Sequence, residues 1–140
     1  MMKKFAFIAF IALVLASCTD EKYYTNVNTF TETYTVSKDH WKLDYDDSGA
    51  YFYYQFKEPA ITYEVFEHGI LNGYLYYTLN GVETISPLPF SDFWDEKEDK
   101  WIEQVTCEFS PGYVTFILKF DDHAEVPPQY DNKFMVKLMW

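Results

Sequence analysis

"WIEQVTCEFSPGYVTFILKF", Trp101 to Phe120, is the stretch that decides the fold. In its first half Trp101, Val105, Cys107 and Phe109 fall on one side of a two-residue repeat. In its second half Val114, Phe116, Leu118 and Phe120 do the same. Alternation of this kind, in β-branched and aromatic residues, marks half-buried strands, because successive side chains of a strand point to opposite faces. Pro111-Gly112 lies between the two runs and turns the chain.

The same period recurs outward in both directions. In "TFTETYTV" Phe30, Tyr34 and Val36 share a side, with threonines opposite. In "AYFYYQFK" Phe52, Tyr54 and Phe56 do, and in "KFMVKLMW" Phe134, Val136, Leu138 and Trp140 do, with Lys133 and Lys137 opposite. "YLYYTLNGVETI" places Asn80-Gly81 between two strand-like runs, a strong hairpin signal, since a type I′ turn needs positive φ at both central residues. "DYDDSG" turns the chain before the Tyr51 strand. "EPAITYEVFEHG" departs from the period: Ile61 and Val65 are four apart, Pro59 precedes them and Gly69 is a candidate C-cap, which predicts one or two helical turns. "SDFWDEKEDK" reads as either a helical turn or an acidic loop. Seven to eight short antiparallel strands with turns at these intervals predict an all-β, two-layer β-sandwich, with a closed barrel as the alternative.

The first residues read differently. Lys3 and Lys4 precede an uncharged apolar run, Phe5–Leu15, too short for a membrane-spanning helix and followed by small residues. This is a secretory signal pattern. Leu15-Ala16-Ser17-Cys18 resembles the lipobox of bacterial lipoproteins, which implies cleavage before Cys18, lipidation of its thiol and acylation of the new amino terminus. Several acyl chains on one residue anchor stably, where one chain does not. Asp20 and Glu21 resemble the acidic export signal of surface lipoproteins in Bacteroidetes-type bacteria, which implies display on the outer face of the outer membrane. The expected organisation is a signal peptide over 1–17, a lipidated Cys18 with a polar tether over 18–27, and one domain over 28–140.

Removal of residues 1–17 leaves 123 residues, enough for one core without disulfide or metal support. With Cys18 lipidated only Cys107 remains, so no disulfide is expected, and Cys107 reads as a buried structural thiol. The mature part holds nine lysines, no arginine and 22 acidic residues, a net charge of −13. Such a surface repels phosphate backbones, so no nucleic-acid partner is expected.

Little in the chain carries chemistry. Asp44, Asp46 and Ser48, with Gly49, have the opening spacing of a calcium loop, but Gln55 stands where a bidentate glutamate is needed, and a solvated hairpin turn is the favoured reading. Carboxylates in "SDFWDEKEDKW" and "DDHAE", the latter with His123, offer no assignable acid–base pair. His40, His68 and His123 show no metal spacing, and neither a phosphate loop nor a nucleophile elbow occurs. What is left over is the aromatic content of 13 Tyr, 13 Phe and 4 Trp. Tyr51 and Tyr53 lie opposite the Phe52 side, and Tyr74 and Tyr76 opposite Leu75, so these four can point outwards. An outward tyrosine row can stack sugar rings or can brace the sheet by cross-strand pairing, and the second is favoured.

Taken in order, the lipobox, "YTVSKDHW", "YFYYQF", "PAITYEVFEHG", "PLPF" at Pro87–Phe90, "CEFSPGYVTFILKF" and "KFMVKLMW" resemble a group of small Bacteroidetes-type lipoproteins, over roughly residues 27–140. Some of that group carry a collagen-like repeat between anchor and domain, which this chain lacks. The resemblance implies fold and location and brings no catalytic motif. The expectation is a non-enzymatic, cofactor-free binding or structural domain, held on the membrane through Cys18, with an envelope protein or glycan as partner. A carbohydrate-binding module is the alternative, and a carbohydrate-active enzyme a weaker one.

Overall fold

A computed structural model describes residues 26–96, 99–121 and 125–140. Cys18, the signal segment and His123 lie outside these residues. Among the described residues are nine strands and one short helix: β1 (Thr29–Val36), β2 (Lys42–Asp46), β3 (Gly49–Lys57), α1 (Tyr63–His68), β4 (Ile70–Leu79), β5 (Val82–Pro87), β6 (Phe90–Glu96), β7 (Asp99–Ser110), β8 (Tyr113–Phe120) and β9 (Asn132–Met139). They form two antiparallel sheets, β1-β9-β4-β5 and β2-β3-β8-β7-β6. The sheets pack face to face as a β-sandwich, so the expected architecture is the one found.

Each alternating run turns its expected side inward, although Trp140 at the end of the last run is exposed and Trp101 is only half covered. Val114, Phe116 and Leu118 of β8 and Phe134, Val136 and Leu138 of β9 are wholly buried. Phe116 and Phe134 stack across the two sheets, rings 9° from parallel and centroids 4.0 Å apart. Tyr34 of β1 packs on Phe56 of β3, Gly73 of β4 abuts Cys107 of β7, and Tyr77 of β4 packs on Phe90 of β6. These contacts place β1 over β3, β9 over β8, and β4 over β7 and β6. Gly73 permits that approach: a Cβ there would sit 2.3 Å from Cys107 Sγ. Cys107 is partly buried on the apolar face, and burial pushes its thiol up to about 11.

The turns follow their chemistry. Asn80 and Gly81 take φ of 51° and 79° in the β4–β5 hairpin, and Gly112 takes 82° between β7 and β8. Helix α1 crosses from one sheet to the other. Thr62 caps it, accepting from the Val65 N–H at 3.2 Å, and Val65 and Ile61 are buried. Gly69 closes α1 in extended backbone, with φ of −84°, and not in the left-handed form that a glycine C-cap suggests. Its lack of a side chain matters for another reason: a Cβ would lie 2.4 Å from the Val65 carbonyl oxygen.

One expectation is corrected. The described residues of "SDFWDEKEDK" are neither helix nor loop: 91–96 belong to β6 and 99–100 to β7. β6 is an edge strand, and its acidic residues hide the alternation there. That strand and β2, which the sequence reading also lacks, bring the seven runs to nine strands.

The two ends of the sandwich differ. At one end lie α1, the Pro111-Gly112 turn, the start of β1 and the end of β9. At the other lie the β2–β3, β4–β5 and β6–β7 hairpins and the connection from β8 to β9.

Candidate functional site

The end away from α1 is open. Leu79 and Val82 form a cross-strand pair on the inward side of β4 and β5, yet they are 54% and 64% exposed. Leu43 and Tyr45 have inward parity on β2 and are exposed as well. The inner surface of the five-stranded sheet runs on past the cover of its partner, and there it carries a cluster of large polar and aromatic residues.

β6 and β7 build most of it. Trp94 and Trp101 are register partners on the inward face, rings 9° from parallel and centroids 6.1 Å apart. Two residues along β7 from Trp101 comes Glu103, on the same face and only 6% exposed. Its Oε2 accepts hydrogen bonds from Trp94 Nε1 and from the Tyr130 hydroxyl, each at 2.9 Å. The Tyr130 ring lies 6.4 Å from that of Trp94. Two aromatic donors thus meet at one buried carboxylate, and a third ring, Trp101, stacks beside them.

Tyr130 reaches the site from the connection between β8 and β9, and the described part of that connection, residues 125–131, is held at three points. The Tyr45 hydroxyl donates to Glu125 at 2.8 Å, Asp131 accepts from the Lys38 backbone N–H at 2.8 Å, and Pro128 is buried. These contacts hold the chain on either side of Tyr130.

No cation is bonded to Glu103 among the described residues. Burial pushes its carboxyl above the usual carboxylate range. The two donated hydrogen bonds oppose that shift, and Asp92, its register partner on β6, adds to it. The Tyr130 hydroxyl is raised by its own burial and by the Glu103 charge, so it keeps its proton and stays a donor. Chemically, the arrangement offers apolar ring faces beside a charged acceptor in a partly dry setting.

The residues singled out in the sequence lie elsewhere. Tyr51 and Tyr53 sit on the outer face of the five-stranded sheet, centroids 6.1 Å apart. Tyr74 and Tyr76 sit on the outer face of the other sheet. The four are on opposite sides of the sandwich and make no common face. Tyr76 lies under Lys133 Nζ at 4.2 Å and Tyr74 under Lys137 Nζ at 5.6 Å, so those rings are covered by their own sheet.

The Asp44–Gly49 turn is satisfied internally. Asp46 accepts from the Ser48 N–H and hydroxyl at 2.7 and 2.6 Å and from Lys119 Nζ at 3.1 Å. Those bonds hold its carboxyl down at about 2. Lys119 Nζ also bonds Ser48 Oγ. Asp44 Oδ1 accepts from the Tyr45 N–H, and Gln55 donates to Thr115. Among the described residues no group of three or more His, Cys, Asp or Glu is gathered for a metal.

Glu103 was hidden from the sequence reading by its charge, although its parity with Trp101 and Val105 is the signal that locates it. Glu58 is a second buried carboxylate, bonded by the Tyr34 hydroxyl and the Ala60 N–H, and it ties β1 to the start of the α1 crossover. Among the described residues no helix is long and apolar enough to cross a membrane. Comparison of the chain with protein families, curated proteins and solved structures finds no match.

Proposed function

We propose that the protein is a lipid-anchored, non-enzymatic binding domain of the cell envelope, displayed on the outer membrane, and that the open end of its sandwich binds a glycan. The observation that carries this reading is the pair of hydrogen bonds from Trp94 and Tyr130 to the buried Glu103 carboxylate, with Trp101 stacked on Trp94 beside it. A sugar ring presents C–H groups on one face and hydroxyls at its rim. Indole and phenol rings match the first, and a desolvated carboxylate is a strong acceptor for the second. The lipobox at Leu15–Cys18 and the acidic flank Asp20-Glu21 support the anchor and its outward direction.

The chain starts its domain at the α1 end, because Asn28 and Trp140 exchange backbone hydrogen bonds there. Anchoring through Cys18 therefore presents the aromatic end away from the membrane. The high acidic charge repels phosphate-rich ligands and favours neutral ones.

A glycan array probed with the detergent-solubilised full-length protein tests this. Binding that is lost in Trp101→Ala and kept in Tyr51→Ala/Tyr53→Ala is the expected outcome. Binding that survives Trp101→Ala and Trp94→Phe, or no binding to any glycan, overturns the assignment of the site to sugars.

A further inference from the structure

The α1 end carries a second apolar surface, remote from the aromatic site. Tyr63 is 73% exposed and Phe66 42% exposed, three apart on α1 and so on neighbouring positions of one helix face. Ile70, just past the helix, is 55% exposed and is the register partner of Met139, itself exposed. Met139 also faces Thr29 at the start of β1, and Trp140 pairs with Asn28 beside the exposed Val27. Tyr63, Phe66, Ile70, Met139, Trp140 and Val27 therefore gather at one end of the sandwich, with Ile70 and Met139 toward the outer face of their sheet and Trp140, the next residue along, on the opposite parity. None of the six side chains contributes to the wholly buried core.

We infer that this end rests on the lipid surface, with its aromatic residues seated in the interfacial layer of the membrane. The inference rests on the reading of Cys18 as the lipidated residue. Eight residue steps separate Cys18 from Asn26, which limits the span to about 29 Å even for a fully extended chain. The tether joins the domain at Val27, among these apolar residues, so the surface nearest the anchor is this one. Tryptophan and tyrosine favour the membrane–water boundary, where an apolar ring and a polar atom are both satisfied. Glu64 and Glu67 are exposed on the same helix. They direct the surface to zwitterionic headgroups and away from anionic ones. Docking of this end adds a second membrane contact to the acyl chains and sets the domain upright, with Trp94, Trp101 and Glu103 outermost.

The test uses full-length protein, processed in cells and reconstituted into phosphatidylcholine vesicles containing lipid with brominated acyl chains. Bromine quenches only nearby tryptophan. Mass spectrometry first establishes acylation of Cys18. The expected result is quenching of the acylated wild type, loss of that quenching in Trp140→Phe, and weaker quenching in Tyr63→Ser/Phe66→Ser, whose exposed positions leave the melting temperature unchanged. No quenching of acylated protein, or quenching that survives Trp140→Phe, overturns the docked end and leaves the anchor standing. Absence of acyl groups on Cys18 overturns both.

Discussion

The hydrogen bond from Tyr130 to Glu103 makes a quantitative claim that can be tested apart from any ligand. Tyr130→Phe removes one of two donors to a carboxylate that is 6% exposed. A hydrogen bond to a charged group contributes about 1.5–3 kcal/mol, and a bond between neutral groups about 0.5–1.5 kcal/mol. Tyr130 is itself 46% exposed, and water can replace part of what it gives, which places the expected cost near the lower figure, about 1.5 kcal/mol at pH 8. For a domain of this size that is a fall of roughly 6 °C in melting temperature. In the Glu103→Gln background the acceptor is neutral, so the same change should cost about 0.5–1 kcal/mol.

The pH dependence has a definite sign. Burial raises the folded-state affinity of Glu103 for its proton above that of the unfolded chain. In that window the folded state holds more protons than the unfolded one, so wild-type stability falls as pH rises through it. Glu103→Gln lacks this loss, and its stability relative to wild type should grow from pH 5 to pH 8. Tyr130→Phe removes a bond that favours the anion, so its cost in the wild-type background should also grow with pH. Urea denaturation of the four proteins of this cycle at several pH values measures every term. An equal cost of Tyr130→Phe at pH 5 and pH 8, or an equal cost in the wild-type and Glu103→Gln backgrounds, would show that the hydroxyl does not support the charge, and the electrostatic account of the site would fail.

Two further predictions concern the frame. Gly73→Ala drives a Cβ to 2.3 Å from Cys107 Sγ and should destabilise by about 1–3 kcal/mol, while Cys107→Ala added to it should restore most of that; urea midpoints that show no such coupling would refute the packing. Deletion of residues 134–140 removes most of β9, the strand between β1 and β4 that holds the wholly buried Phe134, Val136 and Leu138, and should abolish cooperative thermal melting, which circular dichroism reads directly.

What could be read in the sequence follows from what alternation encodes. Phe30, Tyr34 and Val36, and Val114, Phe116 and Leu118, each showed an inward side because the outward residues between them are polar or small. Parity also separated Tyr51 and Tyr53 from Phe52. It could not say which sheet a strand joins, and so could not show that Tyr51 and Tyr74 face away from each other. β6 escaped because Phe93 on its exposed side is as apolar as Trp94 on its inward side, and both stand among acids. Glu103 escaped because a carboxylate between Trp101 and Val105 looks like an interruption of an apolar face, when it occupies that face.

That interruption is the strongest argument for function at the open end. The wholly buried core of β7 closes at Val105, and the residues beyond it, Glu103 and Trp101, are not required to join the sheets. Leucine at position 103 would extend the apolar surface and remove the cost of desolvating a charge beside Asp92. Instead the chain holds a carboxylate there, supplies it with two donors from different elements, and leaves Trp94 and Trp101 only half covered. The β8–β9 connection that brings Tyr130 is tied by Glu125 and Asp131 to β2 and the β1–β2 connection, so with β6 and β7 five separate parts of the chain are committed to one arrangement. A charge that is costly to bury and is nonetheless held this closely is the observation behind the binding site proposed above. Its place at the end remote from Val27 is the place a domain tethered through Cys18 would present to its surroundings.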